Sequence, residues 1–166
     1  MQSWRYWLQP RPLNGLILLG CALLLAIGFG LEHWLDLTPC NLCILQRIAF
    51  AAIGLTALLA LLHHPARVGR KMYGLSMLIF ADLGIALAGR QIWLQHLPPE
   101  QVPACLPTID YLVKIMPVSD VLLLALKGDG NCAEVTWRLL GLSIADWSLF
   151  AFIVFCGLAL VQTMRR

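Results

Sequence analysis

The chain has 166 residues, 60% of them hydrophobic and only 13% charged, with a mean hydropathy of +0.77, whereas a soluble domain carries about 25% charged residues. A globule of 18.4 kDa has no interior large enough for so much apolar surface, and a formal net charge of +3 is too small and too unevenly placed for a nucleic-acid-binding face. Six cysteines in so short a chain are the remaining anomaly, and their position relative to a bilayer governs what they can do.

About 20 apolar residues in helical form cross a bilayer, with about 17 as a minimum. Four runs of that size predict an all-α membrane protein, a four-transmembrane-helix bundle forming a single membrane domain over residues 1–166. The first span covers about 15–31 and carries no charge; the second covers about 44–62, with Gln46 and Arg47 in its opening turns. The third, about 72–94, contains Asp82 near its middle and Arg90 near its end, and the fourth covers about 147–164. Each is expected to be helical because a segment in lipid must satisfy its backbone hydrogen bonds internally. Leu18-Leu19-Gly20-Cys21 loosely resembles a lipoprotein cleavage site, but apolar sequence continues well past it, so the first run reads as a retained span.

Basic residues near span ends stay on the cytoplasmic side. Arg5, Arg11, Arg67, Arg70, Lys71, Arg165 and Arg166 lie in the N-terminal tail, the second-to-third connection and the C-terminal tail, which hold no Asp or Glu. The short loop of about 32–43 has no Lys or Arg, and the long loop of about 95–146 has only Lys114, Lys127 and Arg138 among several acids. Both termini are therefore expected inside and both loops outside.

Cys40, Cys43, Cys105 and Cys132 fall in or at the edge of the outward loops, whereas Cys21 and Cys156 fall within spans and read as small apolar core residues. The outward four are open to a structural reading as two disulfides, and they permit three pairings. The spacing Cys40-Asn41-Leu42-Cys43, directly after Pro39, argues for redox chemistry instead. A bridge over two intervening residues closes so small a loop that it restricts the unfolded chain little. Cys43 is expected in the first turn of a helix, where the dipole and free N–H groups favour a thiolate. Arg47, four residues on, lies about 40° around an ideal helix from Cys43. A cation there either anchors the span or serves a site. Beside a thiolate at lipid depth it suits an electron-rich partner arriving from the bilayer, such as a quinone.

In the long loop, apolar residues dominate from Ile109 to Leu126 with a break at Pro117. The stretch predicts a helix or two lying in the membrane interface. Gly128-Asp129-Gly130-Asn131 then turns the chain into Cys132. Haem attachment is disfavoured because Ile44 occupies the histidine position of CxxCH, and a zinc site because Cys105 and Cys132 do not form a second knuckle. His63 and His64, beside Pro65, read as loop residues; His33 and His96 read as interfacial. Asp82 is either hydrogen-bonded within the bundle or proton-linked. With no flavin, haem or metal motif, a membrane quinone is the economical acceptor for two thiol electrons.

Four spans with both ends inside, Pro39-Cys40-Asn41-Leu42-Cys43-Ile44 followed by Gln46-Arg47, then Cys105, then Gly128-Asp129-Gly130-Asn131-Cys132-Ala133-Glu134 with Trp137 behind it, together resemble the DsbB family of quinone-dependent disulfide-generating proteins of the bacterial inner membrane. The resemblance implies that Cys40–Cys43 is the quinone-coupled disulfide and Cys105–Cys132 the one offered to a periplasmic thioredoxin-like oxidase of the DsbA type. It further implies that the partner attacks Cys105, that the released Cys132 attacks Cys40, and that Cys43 then reduces ubiquinone or menaquinone with Arg47 stabilising negative charge. The end of the third span is implied to line the quinone pocket, with Gln91 as the nearest counterpart of a histidine sometimes found there and Arg90 as a second cationic wall or an anchor. Two other readings stand beside this one: a quinone reductase of the vitamin K epoxide reductase type, disfavoured because the CxxC comes first in this chain, and a non-enzymatic scaffold with structural disulfides.

Overall fold

The computed structural model describes residues 10–36, 38–107, 109–135 and 137–164. Arg5, Arg165 and Arg166, used above for sidedness, lie outside the described residues. Four long helices make the bundle: α1 (Pro10–Leu35), α2 (Asn41–His63), α3 (Arg67–Gln95) and, at the end of the chain, α7 (Ile144–Met164). All four are long and apolar enough to cross a membrane, and the protein is a multi-pass, all-α membrane protein.

Each helix outruns the apolar run that predicted it, because hydropathy marks the stretch that suits lipid while the backbone ladder continues until something stops it. α1 stops before Asp36, which has a positive φ of 49°. α2 begins at once after Cys40, its N-cap, and ends at His64 in the left-handed conformation, followed by Pro65. α7 begins before Trp147 because Ser143 and Asp146 form a reciprocal cap. The Ser143 amide and hydroxyl both donate to Asp146 Oδ2 at 2.8 Å, and the Asp146 amide donates back to Ser143 Oγ at 3.3 Å. The motif Ser-x-x-Asp before an apolar run announces such a start.

α3 packs along α7 and α2, and α2 along α1, while α1 and α7 touch over only a short stretch. Phe50 of α2 and Phe152 of α7 stack in the core, with ring centroids 3.9 Å apart and planes 3° from parallel, and Phe155 meets Phe50 edge-on. Close approach depends on small residues. A Cβ added to Gly84 of α3 would lie 2.2 Å from the Phe152 ring. Cys21 is buried in this core as expected, but Cys156 is only half-buried. Asp82 faces outward rather than into the bundle, with the Cys156 thiol 3.6 Å from its Oδ1; the register of α3 turns its small residues Ala81, Gly84 and Ala88 inward instead. The outer surface is otherwise lipid-like, with Leu19, Leu23, Leu55, Leu83 and Ile153 exposed.

Between α3 and α7 the chain forms a 3₁₀ turn (Pro99–Gln101), α4 (Ile109–Ile115), α5 (Val118–Lys127), the single-turn α6 (Gly130–Ala133) and a small hairpin, β1 (Arg138–Leu139) with β2 (Leu142–Ser143). Pro117 caps α5, so the break at that residue separates two helices. The hairpin had no counterpart in the apolar pattern. Its two-residue turn, Leu140-Gly141, has φ of 54° and 84°, the positive values that a tight hairpin turn requires.

Candidate active site

The CxxC is built by the start of α2. Cys40, held extended as the N-cap, accepts the Cys43 amide on its Sγ at 3.4 Å. One helical turn brings the Cys40 and Cys43 sulfurs to 2.9 Å, a short side-chain rotation from the 2.0 Å or so of a bonded pair.

α3 delivers Gln91 to these sulfurs from across the bundle. Its Nε2 lies 3.2 Å from Cys43 Sγ and 3.4 Å from Cys40 Sγ, and its Oε1 accepts from Gln46 Nε2 at 2.7 Å. Both amides are buried. Because Gln46 donates to the Gln91 carbonyl, the Gln91 NH₂ is turned toward the sulfurs, and only that face can donate. Gln46 belongs to the sequence motif but was given no role at the site from the sequence. Its signal was a polar residue that sits one turn into a span, beside the more conspicuous Arg47.

Arg47 shares a cleft with Cys43 but does not stand free. Its Nη1 is ion-paired with Glu32 at the end of α1, its Nη2 donates to Gly28 O at 3.2 Å, and its guanidinium lies over the Phe29 ring at 4.8 Å. Glu32 was also missed, since an acid in a loop without basic residues read only as part of the charge asymmetry. Arg90 was expected from the resemblance as a second cationic wall or an anchor. It does not line the cleft; its Nε and Nη2 donate to Lys127 O at 3.2 and 3.0 Å, and it stacks on Trp93 at 4.2 Å. One residue along a helix is about 100° around it, so Gln91 and Arg90 cannot face the same way. Arg90 thereby satisfies a terminal carbonyl of α5. His96 closes α3, with Nδ1 2.8 Å from Ile92 O.

The long loop brings its second cysteine to the first pair. Cys132 is fully buried and packs in one apolar cluster with Cys40, Leu42 and Leu94. Cys105 is exposed, yet close to the same segment: a Cβ added to Gly130 would lie 2.8 Å from Cys105 Sγ. Of the four cysteines, three are thus gathered inside and one faces solvent. Hydrogen bonding from Cys40 lowers the Cys132 thiol from its ordinary value, with backbone groups of Asp129 and Leu42 assisting against burial and the Asp129 charge. The Cys40 thiol is raised, by its hydrogen bonds to Cys132 and Cys43 and by burial. In this arrangement Cys132 is the better nucleophile, and Cys40 would be a poor leaving group.

Below the cysteines lies a part-open cleft of about 300 Å³ between α1, α2 and α7, roofed by the hairpin and Trp137. Leu24, Leu25, Ile27, Phe50, Ile144 and Trp147 give it apolar walls; Cys43, Gln46, Arg47 and Gln91 supply its polar groups. It lies where α1 and α7 barely touch.

Comparison with known proteins identifies the family. The family model described as disulfide bond formation protein DsbB matches residues 10–162. The chain is 51% identical over 159 residues to disulfide bond formation protein B of Marinobacter nauticus, covering 96% of this chain and 95% of the relative. It is 45% identical over 158 residues to the protein of the same name from Stutzerimonas stutzeri, and 43% identical over 158 residues to disulfide bond formation protein B 1 of Pseudomonas aeruginosa, in both cases covering 95% of this chain and 97% of the relative. Four apolar helices, a CxxC at the mouth of the second, and matches over nearly the whole length place the chain in the DsbB family of disulfide bond formation proteins.

Proposed function

We propose that the chain is a disulfide-generating oxidase of the bacterial inner membrane that reoxidises a DsbA-type thioredoxin-fold partner and passes the two electrons to a membrane quinone. The observation that carries this is a continuous line of sulfurs. Cys132 packs in one buried cluster with Cys40, the Cys40 and Cys43 sulfurs lie 2.9 Å apart, and Cys43 lines the apolar cleft, while Cys105 stays exposed for a soluble partner.

Electrons then move by thiol–disulfide exchange. A partner thiolate attacks Cys105 Sγ of a Cys105–Cys132 disulfide; a mixed disulfide forms and Cys132 leaves as a thiolate. The partner's second thiolate closes its own disulfide and releases Cys105. Cys132 attacks Cys40 Sγ of the Cys40–Cys43 disulfide, forming the Cys40–Cys132 bond and releasing Cys43 as a thiolate. Attack in the other sense would expel Cys40, whose raised thiol makes it the worse leaving group. The Cys105 thiolate then attacks Cys132 Sγ of the Cys40–Cys132 bond, the Cys105–Cys132 bond re-forms, and Cys40 departs in the slower exchange of the cycle, taking up a proton given up by the partner's thiols; Cys40 and Cys43 are left reduced with the partner's electron pair.

The cleft suits a quinone. Its size is at the lower end of small-molecule pockets, about 300–1,000 Å³, and it shares their build of apolar walls with a few convergent polar groups. A bound quinone supplies a sink for two electrons and two protons. Cys43 faces it, the Gln91 amide holds charge on the Cys43 sulfur, and Arg47, with two of its five N–H donors engaged by Glu32 and Gly28, retains donors for an oxygen. Arg11, Arg67, Arg70 and Lys71 occupy the end of the bundle opposite the cysteines, which supports cytoplasmic termini and periplasmic cysteines. The exposed apolar side chains of α4 and α5, among them Val118, Leu122 and Leu123, support a place for both helices on the membrane surface.

The test is quinone reduction by the purified protein with a reduced DsbA-type protein as donor and Cys43→Ser as control. Quinol formation that requires both the donor and Cys43 is expected. Quinol formed at an unchanged rate by Cys43→Ser would overturn the relay.

A further inference from the structure

One buried hydrogen bond fastens the Cys132 segment to the CxxC. Asn41, the residue after Cys40, is 3% exposed and donates from Nδ2 to Asp129 Oδ2 at 2.7 Å, with a longer contact of 3.4 Å to Pro107 O. Asp129 is 0% exposed, and its other oxygen accepts the Cys132 amide at 3.1 Å as the N-cap of α6. A single carboxylate thus joins the neighbour of Cys40 to the backbone of Cys132. The same segment also rests against the strand of Cys105: Gly130 N lies 3.5 Å from Ala104 O, and Asn131 Nδ2 donates to Leu106 O at 3.1 Å. Cys132 thus lies between the Cys40 side, to which the 2.7 Å Asn41–Asp129 bond ties it, and the Cys105 strand, which Asn41 meets only through its longer contact to Pro107.

We propose that Asn41 and Asp129 form a latch that biases Cys132 toward Cys40 over Cys105, which makes them positioning residues for the interloop exchange. The relay proposed above is the setting in which this bias matters, but the latch can be measured without quinone or partner. In a Cys43→Ser background, Cys40 and Cys105 compete for Cys132. The Cys40 thiolate attacks Cys132 Sγ of the Cys105–Cys132 bond, the Cys40–Cys132 bond forms, and Cys105 leaves and takes up the proton that Cys40 lost. No net oxidation occurs, so the ratio of the two bridges reads the bias directly.

The experiment equilibrates Cys43→Ser protein in a glutathione redox buffer, quenches with acid, and quantifies the two disulfide-linked peptides by mass spectrometry. Asn41→Asp sets two carboxylates face to face. The ratio of Cys40–Cys132 to Cys105–Cys132 is expected to fall at least about tenfold, or about 1.4 kcal/mol. Adding Asp129→Asn to Asn41→Asp exchanges the amide and the carboxylate, keeps an acceptor for the Cys132 amide, and should restore the ratio to within about threefold. An unchanged ratio in the single variant overturns the latch. So does a fall that the exchange leaves uncorrected, because general damage to the loop would behave that way. Quinol formation with an unmoved ratio would sink the latch and leave the relay standing; a moved ratio without quinol formation would do the reverse.

Discussion

Gln91→Leu isolates the contribution of one amide to the chemistry of the CxxC. The substitution keeps most of the side-chain volume and removes the donor 3.2 Å from Cys43 Sγ and 3.4 Å from Cys40 Sγ. A hydrogen bond to a charged group contributes about 1.5–3 kcal/mol, and each 1.4 kcal/mol or so is tenfold in rate, so kcat for quinone reduction should fall about 10- to 150-fold. The same change strands Gln46 Nε2, which donates to Gln91 Oε1 at 2.7 Å in a buried setting, at a cost of about 1–3 kcal/mol in stability. The two effects separate in Gln46→Met/Gln91→Leu, which removes the orphaned donor as well. Thermal unfolding in detergent should recover in the double variant while kcat stays low. The assay is steady-state quinone reduction with reduced partner, read beside the unfolding midpoint. A kcat within twofold of wild type in Gln91→Leu, in protein of normal stability, would refute the argument.

Cys105→Ala should block reoxidation of the partner and leave the Cys40–Cys43 pair able to accept electrons from a small dithiol; normal turnover with the protein partner would remove Cys105 as the entry point. Arg47→Ala should raise the apparent quinone KM about tenfold, the equivalent of about 1.4 kcal/mol, and an unaltered KM would reduce Arg47 to a strut between α1 and α2 through Glu32. A thiol lowered from its ordinary value of about 8.5 keeps its nucleophilic form as pH falls through that value. Since Cys132 is lowered in this way, formation of the Cys40–Cys132 bridge should fall less on going below pH 8.5 than an unshifted thiol would; rapid-quench trapping that finds the full loss of an unshifted thiol, about fivefold over the first unit, would contradict it. Gly84→Ala would drive a Cβ to 2.2 Å from the Phe152 ring, which is fully buried and stacked on Phe50. Overpacking of this kind costs about 1–3 kcal/mol, visible as a lower unfolding midpoint, and an unmoved midpoint would mean that α3 and α7 are not tightly packed there.

Much of this protein is legible in its sequence because its two strongest signals are local. Apolar runs of bilayer length announce four helices by composition alone, and two cysteines a helical turn apart at the start of a span announce a close sulfur pair by spacing alone. Helix ends were less legible. The Ser143–Asp146 cap was readable as a motif but was hidden by the apolar run that follows it, and the Leu140-Gly141 turn places a leucine where a sequence reader expects glycine or asparagine.

What depended on the tertiary structure is everything that joins residues far apart in the chain. Gln91 meets Cys43 across 48 residues, and its neighbour Arg90 does not, because the rotation of α3 is set by which small residues pack against α2 and α7. Arg47 meets Glu32 because α1 continues as a helix beyond its apolar run. Asn41 finds Asp129 across 88 residues, a pairing that no periodicity encodes. Hydropathy and spacing are properties of a segment, so the sequence by itself determined the four spanning helices and the pairing of Cys40 with Cys43 at the start of the second. The partner of each polar side chain is set by helix rotation and loop path, which only packing decides.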